Sequence, residues 1–242
     1  MDKEPVILNA GDQGVVIELG NIISPDINRK VHALAKVLEN KNFPEVIDLV
    51  PAYRSLLVVY QPLLISEGEI SVKLAKIARS VIKTPVENIN VVEIPTLYGE
   101  DYGPDLEHVA GHAGISTDEV IKIHSEAKYP VYMIGFTPGF PYLGGLSDKL
   151  ALPRRNTPRT TVPAGSVGIA ETQTGVYPIQ SPGGWHILGR TPLRLFDPRK
   201  ANPALLSAGD YAQFIPLSGK NEYVQIANRV ERNNYQVIIT TI

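Results

Sequence analysis

The chain has 242 residues, 43% hydrophobic and 20% charged, enough for one large domain or two ordinary ones with a real core. Lys+Arg 23 against Asp+Glu 25 leaves a formal net charge of -2, without the basic excess that nucleic acid or an anionic membrane surface requires. The absence of cysteine excludes disulfides, thiolate nucleophiles and Cys-ligated zinc.

Met1-Asp2-Lys3-Glu4-Pro5 carries no basic segment followed by an apolar one, and no apolar run approaches the ~18 residues of a membrane span, so the expected location is the cytoplasm. Val15-Val16-Ile17-Glu18-Leu19 reads as a strand. Ser24-Pro25 places an N-cap before proline at the first helical position, and Ile27, Val31, Leu34 and Leu38 continue at helical spacing, which predicts a helix over 25–39. Strands are expected at 46–50 and 55–60. Ile70, Leu74, Ile77, Ala78 and Val81 mark a second helix, and 90–94 a further strand. The order βαββαβ is the ferredoxin-like split pattern, an α+β domain over 1–95.

Pro95 to Pro104 reads as a connector into a second domain, 96–242. Asp105 to Gly114 reads as a short helix ending on a glycine suited to a left-handed cap. Ser116-Thr117-Asp118-Glu119 has capping-box spacing and opens a helix to about Lys128, followed by strand over 129–134. Beyond Gly135 short apolar runs alternate with Pro, Gly, Asn and Asp. Strands are expected at 166–170, 176–179, 186–189, 193–196 and 211–215, the texture of a sandwich or barrel. A polar helix and a last strand at 236–240 complete the chain.

Three familiar motifs are only approached. Gly184 to Thr191 has P-loop spacing with Arg190 in place of lysine, but Pro192 disfavours the helix that a phosphate loop must open. His108 and His112 have metal-ligand spacing on a helix, but Val109 stands where a zincin has glutamate, so they read as solvated and helix-terminal. Ala164-Gly165-Ser166-Val167-Gly168 lacks the first glycine of a nucleophile elbow. His124 reads as a satisfied core histidine, with acid–base catalysis as the sharper alternative.

Two stretches look more productive. Arg154, Arg155 and Arg159 among Pro153, Pro158 and Pro163 form a stiff platform for carboxylate or phosphate, or else a solvated basic loop. Gln173 to His186 interleaves Tyr177, Ser181, Gly183, Gly184, the single Trp185 and His186, the mixture of aromatic walls and directed polar groups expected of a small-molecule pocket.

Gly135-Phe136-Thr137-Pro138-Gly139-Phe140-Pro141-Tyr142-Leu143-Gly144-Gly145-Leu146, Pro153-Arg154-Arg155, Pro158-Arg159, Pro163 to Ala170, Gln173 to Pro178 and Ser181-Pro182-Gly183-Gly184-Trp185, with Tyr102-Gly103-Pro104-Asp105-Leu106 and Gly11-Asp12, together resemble the family of 5-oxoprolinase B subunits. Its members are often labelled allophanate hydrolase subunit 1, and it includes the Kip-type inhibitor of a sporulation sensor histidine kinase. The resemblance covers nearly the whole chain. It implies a small α/β domain followed by a cyclophilin-like β-barrel. It also implies two companions, a Kip-A-like C subunit and an A subunit, with ATP and Mg at the level of the assembly and no cofactor assigned to this chain.

The implied activity is ATP-dependent opening of 5-oxoproline to glutamate, with this chain inactive alone. Inhibitory binding to a sensor histidine kinase is the alternative. Urea or allophanate metabolism is a weaker third reading. No catalytic residue is assigned and no metal ligand is expected. The expected substrate contacts are Arg154, Arg155, Arg159, Gln173, Tyr177, Ser181, Gly183, Gly184, Trp185 and His186, with Phe136 and Phe140 at the approach.

Overall fold

Alternating burial builds the first sheet: Val15 and Ile17 on one strand and Leu56, Val58 and Tyr60 on another turn the same way and are almost fully buried. The computed structural model describes residues 4–81 and 89–241. They fall into two compact units, Met1–Asn88 and Ile89–Ile242.

In the first unit β1 (Val6–Asn9) and β2 (Gly14–Glu18) make an antiparallel hairpin. α1 (Pro25–Lys41) begins as expected, with the Ser24 side chain accepting from the Ile27 amide, and ends at Asn42 with φ 46°. β3 (Val46–Pro51), β4 (Ser55–Tyr60) and α2 (Glu67–Val81) follow. The sheet order is β1-β2-β4-β3, antiparallel throughout. Val31, Leu34 and Leu38 of α1 and Ile70 and Leu74 of α2 form one core with the inward strand residues.

The expected βαββαβ pattern is corrected here. Its last strand, 90–94, pairs in the second unit, and β1 supplies the fourth strand of the first sheet. The physical reason lies in burial. Val91, Val92, Ile94, Pro95 and Thr96 are all buried, which demands neighbours on both faces.

The second unit opens with that strand, β5 (Asn90–Tyr98), which takes in the start of the expected connector, Pro95 to Tyr98. α3 (Leu106–Ala113) ends at Gly114 with φ 67°. α4 (Thr117–Glu126) is capped by Ser116, which accepts from the Glu119 amide. β6 (Lys128–Ile134), β7 (Pro141–Gly144), a 3-10 turn at Asp148–Leu150 and β8 (Arg159–Val162) come next. β9 (Ser166–Ala170), β10 (Gln173–Val176), β11 (Ser181–Gly183), β12 (His186–Arg190) and β13 (Tyr211–Pro216) then precede α5 (Lys220–Glu231) and β14 (Ile239–Thr241).

Seven strands close into a barrel in the order β12-β9-β10-β7-β6-β13-β5, with β12 meeting β5 through Gly189↔Tyr98 and Arg190↔Leu97. β14 adds to β5, and β8 pairs with β11 as a separate ribbon. The expected strand at 193–196 is not formed. Leu193 and Leu195 are buried, but Pro192 has no amide proton and the Leu193 amide donates to Thr191 Oγ1. The strand expected at 176–179 lies earlier, at β10, because Pro178 cannot donate to a ladder. No helix among the described residues is long and apolar enough to cross a membrane.

His124 sits in the core of this unit, fully buried, with its ring 4.5 Å from that of Phe214. The hydrogen bonds fix its tautomer. Thr174 Oγ1 donates to the Gly168 carbonyl at 3.0 Å, so it must accept from His124 Nε2–H at 2.9 Å. The bare Nδ1 therefore accepts from the Tyr98 hydroxyl at 2.7 Å. Burial lowers the His124 pKa to about 3, so the ring is neutral and structural.

Candidate functional site

The site is organised by a residue that local motifs do not single out. Asp105 precedes α3 at the N-cap position but makes no side-chain bond to that helix. Its backbone is bonded to β12 instead, the Asp105 amide donating to the Ile187 carbonyl at 3.0 Å. Two residues earlier, a Cβ on Gly103 would stand 1.9 Å from the Leu188 carbonyl oxygen, so only glycine lets the chain approach β12 this closely. The Asp105 carboxylate then accepts from the Ile187 amide at 2.7 Å, from Arg155 Nη1 at 2.9 Å, and from Arg159 Nη1 and Nη2, each at 2.8 Å.

Asp105 is 4% exposed. Burial pushes its pKa up, but the bonds from Arg159 and Ile187 and the charges of both arginines outweigh that and hold the carboxyl below its usual range. The same pairing raises the pKa of Arg159. Two of the three arginines expected to form an open platform therefore meet an internal carboxylate first. Arg154 is exposed and makes no ion pair among the described residues.

Beside this cluster lies a cleft of about 430 Å³ lined by His108, His112, Pro153, Arg154, Arg155 and His186. The His108 and His186 rings stack, with centroids 5.2 Å apart and planes at 15°. His186 Nε2 lies 3.0 Å from the Pro153 carbonyl, which only accepts, so the proton is on Nε2. Its buried Nδ1 has no hydrogen-bond partner among the described residues. Burial lowers the His186 pKa, with His108 and Arg155 adding to the effect against the pull of the Pro153 carbonyl and Asp105.

The aromatic part of the expected pocket is packed shut. Phe140, Tyr177 and Trp185 are 2%, 2% and 5% exposed and share one cluster with Val162 and Ile187. Phe140 meets Tyr177 and Trp185 edge to face, at 5.2 and 5.5 Å. The glycines make room for these rings: a Cβ on Gly175 would lie 3.0 Å from Trp185 Cζ3, and one on Gly183 2.3 Å from the Tyr177 hydroxyl. Burial raises the Tyr177 pKa. Ser181 Oγ is buried without a partner among the described residues, Gln173 is half-buried at the start of β10, and Gly184 accepts from the Arg155 amide at 2.8 Å. Phe136 is 63% exposed on the far side of Phe140.

Two groups stand out among the expected residues. Arg154, Arg155 and His186 meet at the cleft, with Arg159 behind them, and they are joined there by His108 and His112, the pair with metal-ligand spacing. Phe140, Tyr177 and Trp185 form a plug. Gly184 to Thr191 runs through β12, not into a helix, and Ser166 is fully buried at the start of β9.

Residues 5–206 match the model of the carboxyltransferase domain, subdomain C and D. The 5-oxoprolinase B subunit of Bacillus subtilis (strain 168) is 44% identical over 225 residues, which is 87% of this chain and 92% of that protein. The 5-oxoprolinase B subunit of Escherichia coli O157:H7 is 40% identical over 213 residues, 85% of this chain and 93% of that protein. The crystal structure of TTHA0988 superposes with a TM-score of 0.75 at 39% identity, covering 86% of this chain but only 40% of its own longer one. On the agreement of a family match over most of the chain with near full-length relatives of the same name, this chain belongs to the family of 5-oxoprolinase B subunits, built on carboxyltransferase subdomains C and D.

Proposed function

We propose that this chain is the B subunit of an ATP-dependent 5-oxoprolinase, which opens the lactam of 5-oxoproline to glutamate together with companion A and C subunits in the cytoplasm. The observation that carries the reading is the 44% identity to the Bacillus subtilis relative across 92% of that protein. The kinase-inhibitor alternative is not adopted, because these relatives carry the oxoprolinase name. The cyclophilin-like kinship of the barrel rests on the family resemblance.

Within that role the cleft at Arg154, Arg155 and His186 holds a small carboxylate such as that of 5-oxoproline. The charge balance favours an anion. Asp105 offsets one of the Arg155 and Arg159 charges and leaves the other, and Arg154 adds its own. ATP supplies the drive for breaking a stable five-membered amide. The cleft does not suit a magnesium-bound nucleotide, because Asp105, the carboxylate beside it, already accepts from two guanidinium groups and an amide. This reading therefore puts the nucleotide elsewhere in the assembly.

The test is glutamate release from 5-oxoproline by the reconstituted subunits with ATP. Activity requiring this chain is the expected result, and none with the full set of subunits refutes the role. Arg154→Gln should raise KM for 5-oxoproline about ten-fold with little change in kcat, the mark of lost substrate binding. An unchanged KM removes the cleft assignment alone.

A further inference from the structure

Two buried atoms on residues that line the cleft, Arg155 Nε and His186 Nδ1, have no hydrogen-bond partner among the described residues. Their roles are fixed and opposite. The guanidinium is always charged, so Nε carries a proton and only donates. The Pro153 carbonyl holds the His186 proton on Nε2, so Nδ1 is bare and only accepts. The two residues are also tied side by side. The Arg155 amide donates to the Gly184 carbonyl at 2.8 Å, and the His186 ring donates to the Pro153 carbonyl at 3.0 Å. Residues 153–155 therefore run beside residues 184–186. Asp105 anchors the far end of Arg155, accepting from Nη1 at 2.9 Å.

A buried donor and a buried acceptor left unsatisfied are both costly, and their neighbourhood calls for one ligand that satisfies the two together. The matching group is an amide held cis, which presents N–H and C=O side by side on one edge. A trans peptide points them in opposite directions. A small lactam is locked cis by its ring. Arg154, exposed and without an ion pair among the described residues, stands at the same cleft for a carboxylate on that ring.

We propose that the cleft reads the cis-amide edge of a lactam that carries a carboxylate: His186 Nδ1 accepts from the ring N–H, Arg155 Nε donates to the ring carbonyl, and Arg154 pairs with the carboxylate. The proposal rests on the oxoprolinase reading above. It makes His186 the residue that tells a lactam from a ring of the same shape without N–H. Both atoms are closed to water, so the ligand reaches them by displacing a neighbour. His108 is that neighbour. Its exposed ring stacks on His186 with centroids 5.2 Å apart and makes no hydrogen bond among the described residues. Exposed side chains of this kind change rotamer within nanoseconds.

Calorimetry tests this with two ligands, 5-oxoproline and the cyclopentanone carboxylate that has a methylene where 5-oxoproline has N–H. Each is titrated into the full chain, alone and with its companion A and C subunits, ATP being withheld. The wild type should prefer 5-oxoproline about ten-fold or more. His186→Phe keeps a ring against His108 but has no acceptor, and should erase the preference by weakening 5-oxoproline alone. His186→Gln can donate to Pro153 through its nitrogen and accept through its oxygen, and should keep most of the preference. Arg155→Lys keeps the charge beside Asp105 but has no Nε–H, and should weaken both ligands alike. Circular dichroism establishes that each variant is folded. Equal affinity of the wild type for the two rings, or a preference that survives His186→Phe, overturns the inference. Failure of both the chain and the complex to bind 5-oxoproline overturns it as well. Glutamate release with ATP is read separately. Its absence from the complete mixture, alongside a preference that His186→Phe erases, overturns the oxoprolinase reading and leaves the lactam site standing.

Discussion

Acid should weaken the second unit in part through His124. Its ring is neutral in the fold, with a pKa of about 3 against an ordinary 6.5. Below pH 6.5 the unfolded chain binds a proton at this ring that the folded chain refuses. Stability from this source is therefore intact above pH 6.5 and is lost progressively as the pH falls from 6.5 to 3. Linkage gives a loss of about 2 kcal/mol between pH 7 and pH 5, and about 4 kcal/mol by pH 3. Trp185, the single tryptophan, lies in this unit, so its emission during urea unfolding reads the unit directly. His124→Gln supplies the control. Its amide nitrogen can donate to Thr174 and its oxygen can accept from Tyr98, but it does not titrate in this range. Other ionising groups titrate alike in both proteins, so the difference in their pH 7 to pH 5 losses isolates His124. Equal losses in wild type and His124→Gln would refute the reasoning.

Asp105→Asn removes the charge that pairs Arg155 and Arg159, and should cost about 3 kcal/mol in Trp185-monitored unfolding. Adding Arg159→Gln should recover part of that loss, and strict additivity would argue against the cluster. Gly183→Ala drives a Cβ to 2.3 Å from the Tyr177 hydroxyl, and should destabilise by about 2 kcal/mol. Tyr177→Phe in the same chain should restore a portion, measured in the same unfolding experiment.

Features governed by neighbours in the chain were legible. The helix at Pro25–Lys41 follows from Ser24, Pro25 and a four-residue apolar stripe, and the Ser116 cap from its capping-box spacing. Sheet membership was not. Residues 90–94 have strand character wherever they go, and only partners at 211–216 and 239–241 put them in the barrel rather than the first sheet. Asp105 lies in the run Tyr102 to Leu106 that shares in the family resemblance, but its role was hidden for the same reason, since its partners lie 50, 54 and 82 residues away. The packing of the aromatic stretch was not legible for a different reason. Glycines among aromatic residues suit the wall of a pocket or a core plug alike, and only the fold shows Gly175 and Gly183 as the space into which Trp185 and Tyr177 close.

The seam of the barrel also sets a timetable for its making. β5 is the first strand of its unit to leave a ribosome, yet it lies between β13 on one side and β12 and β14 on the other. Until the chain has been synthesised past Pro216, the buried run Val91 to Thr96 has no permanent neighbour. Such long-range closure is slow, and the waiting strand is an open edge for wrong pairing. Deletions that remove β13 should therefore yield insoluble chains rather than a smaller barrel, and production should improve when elongation is slowed or chaperones are abundant.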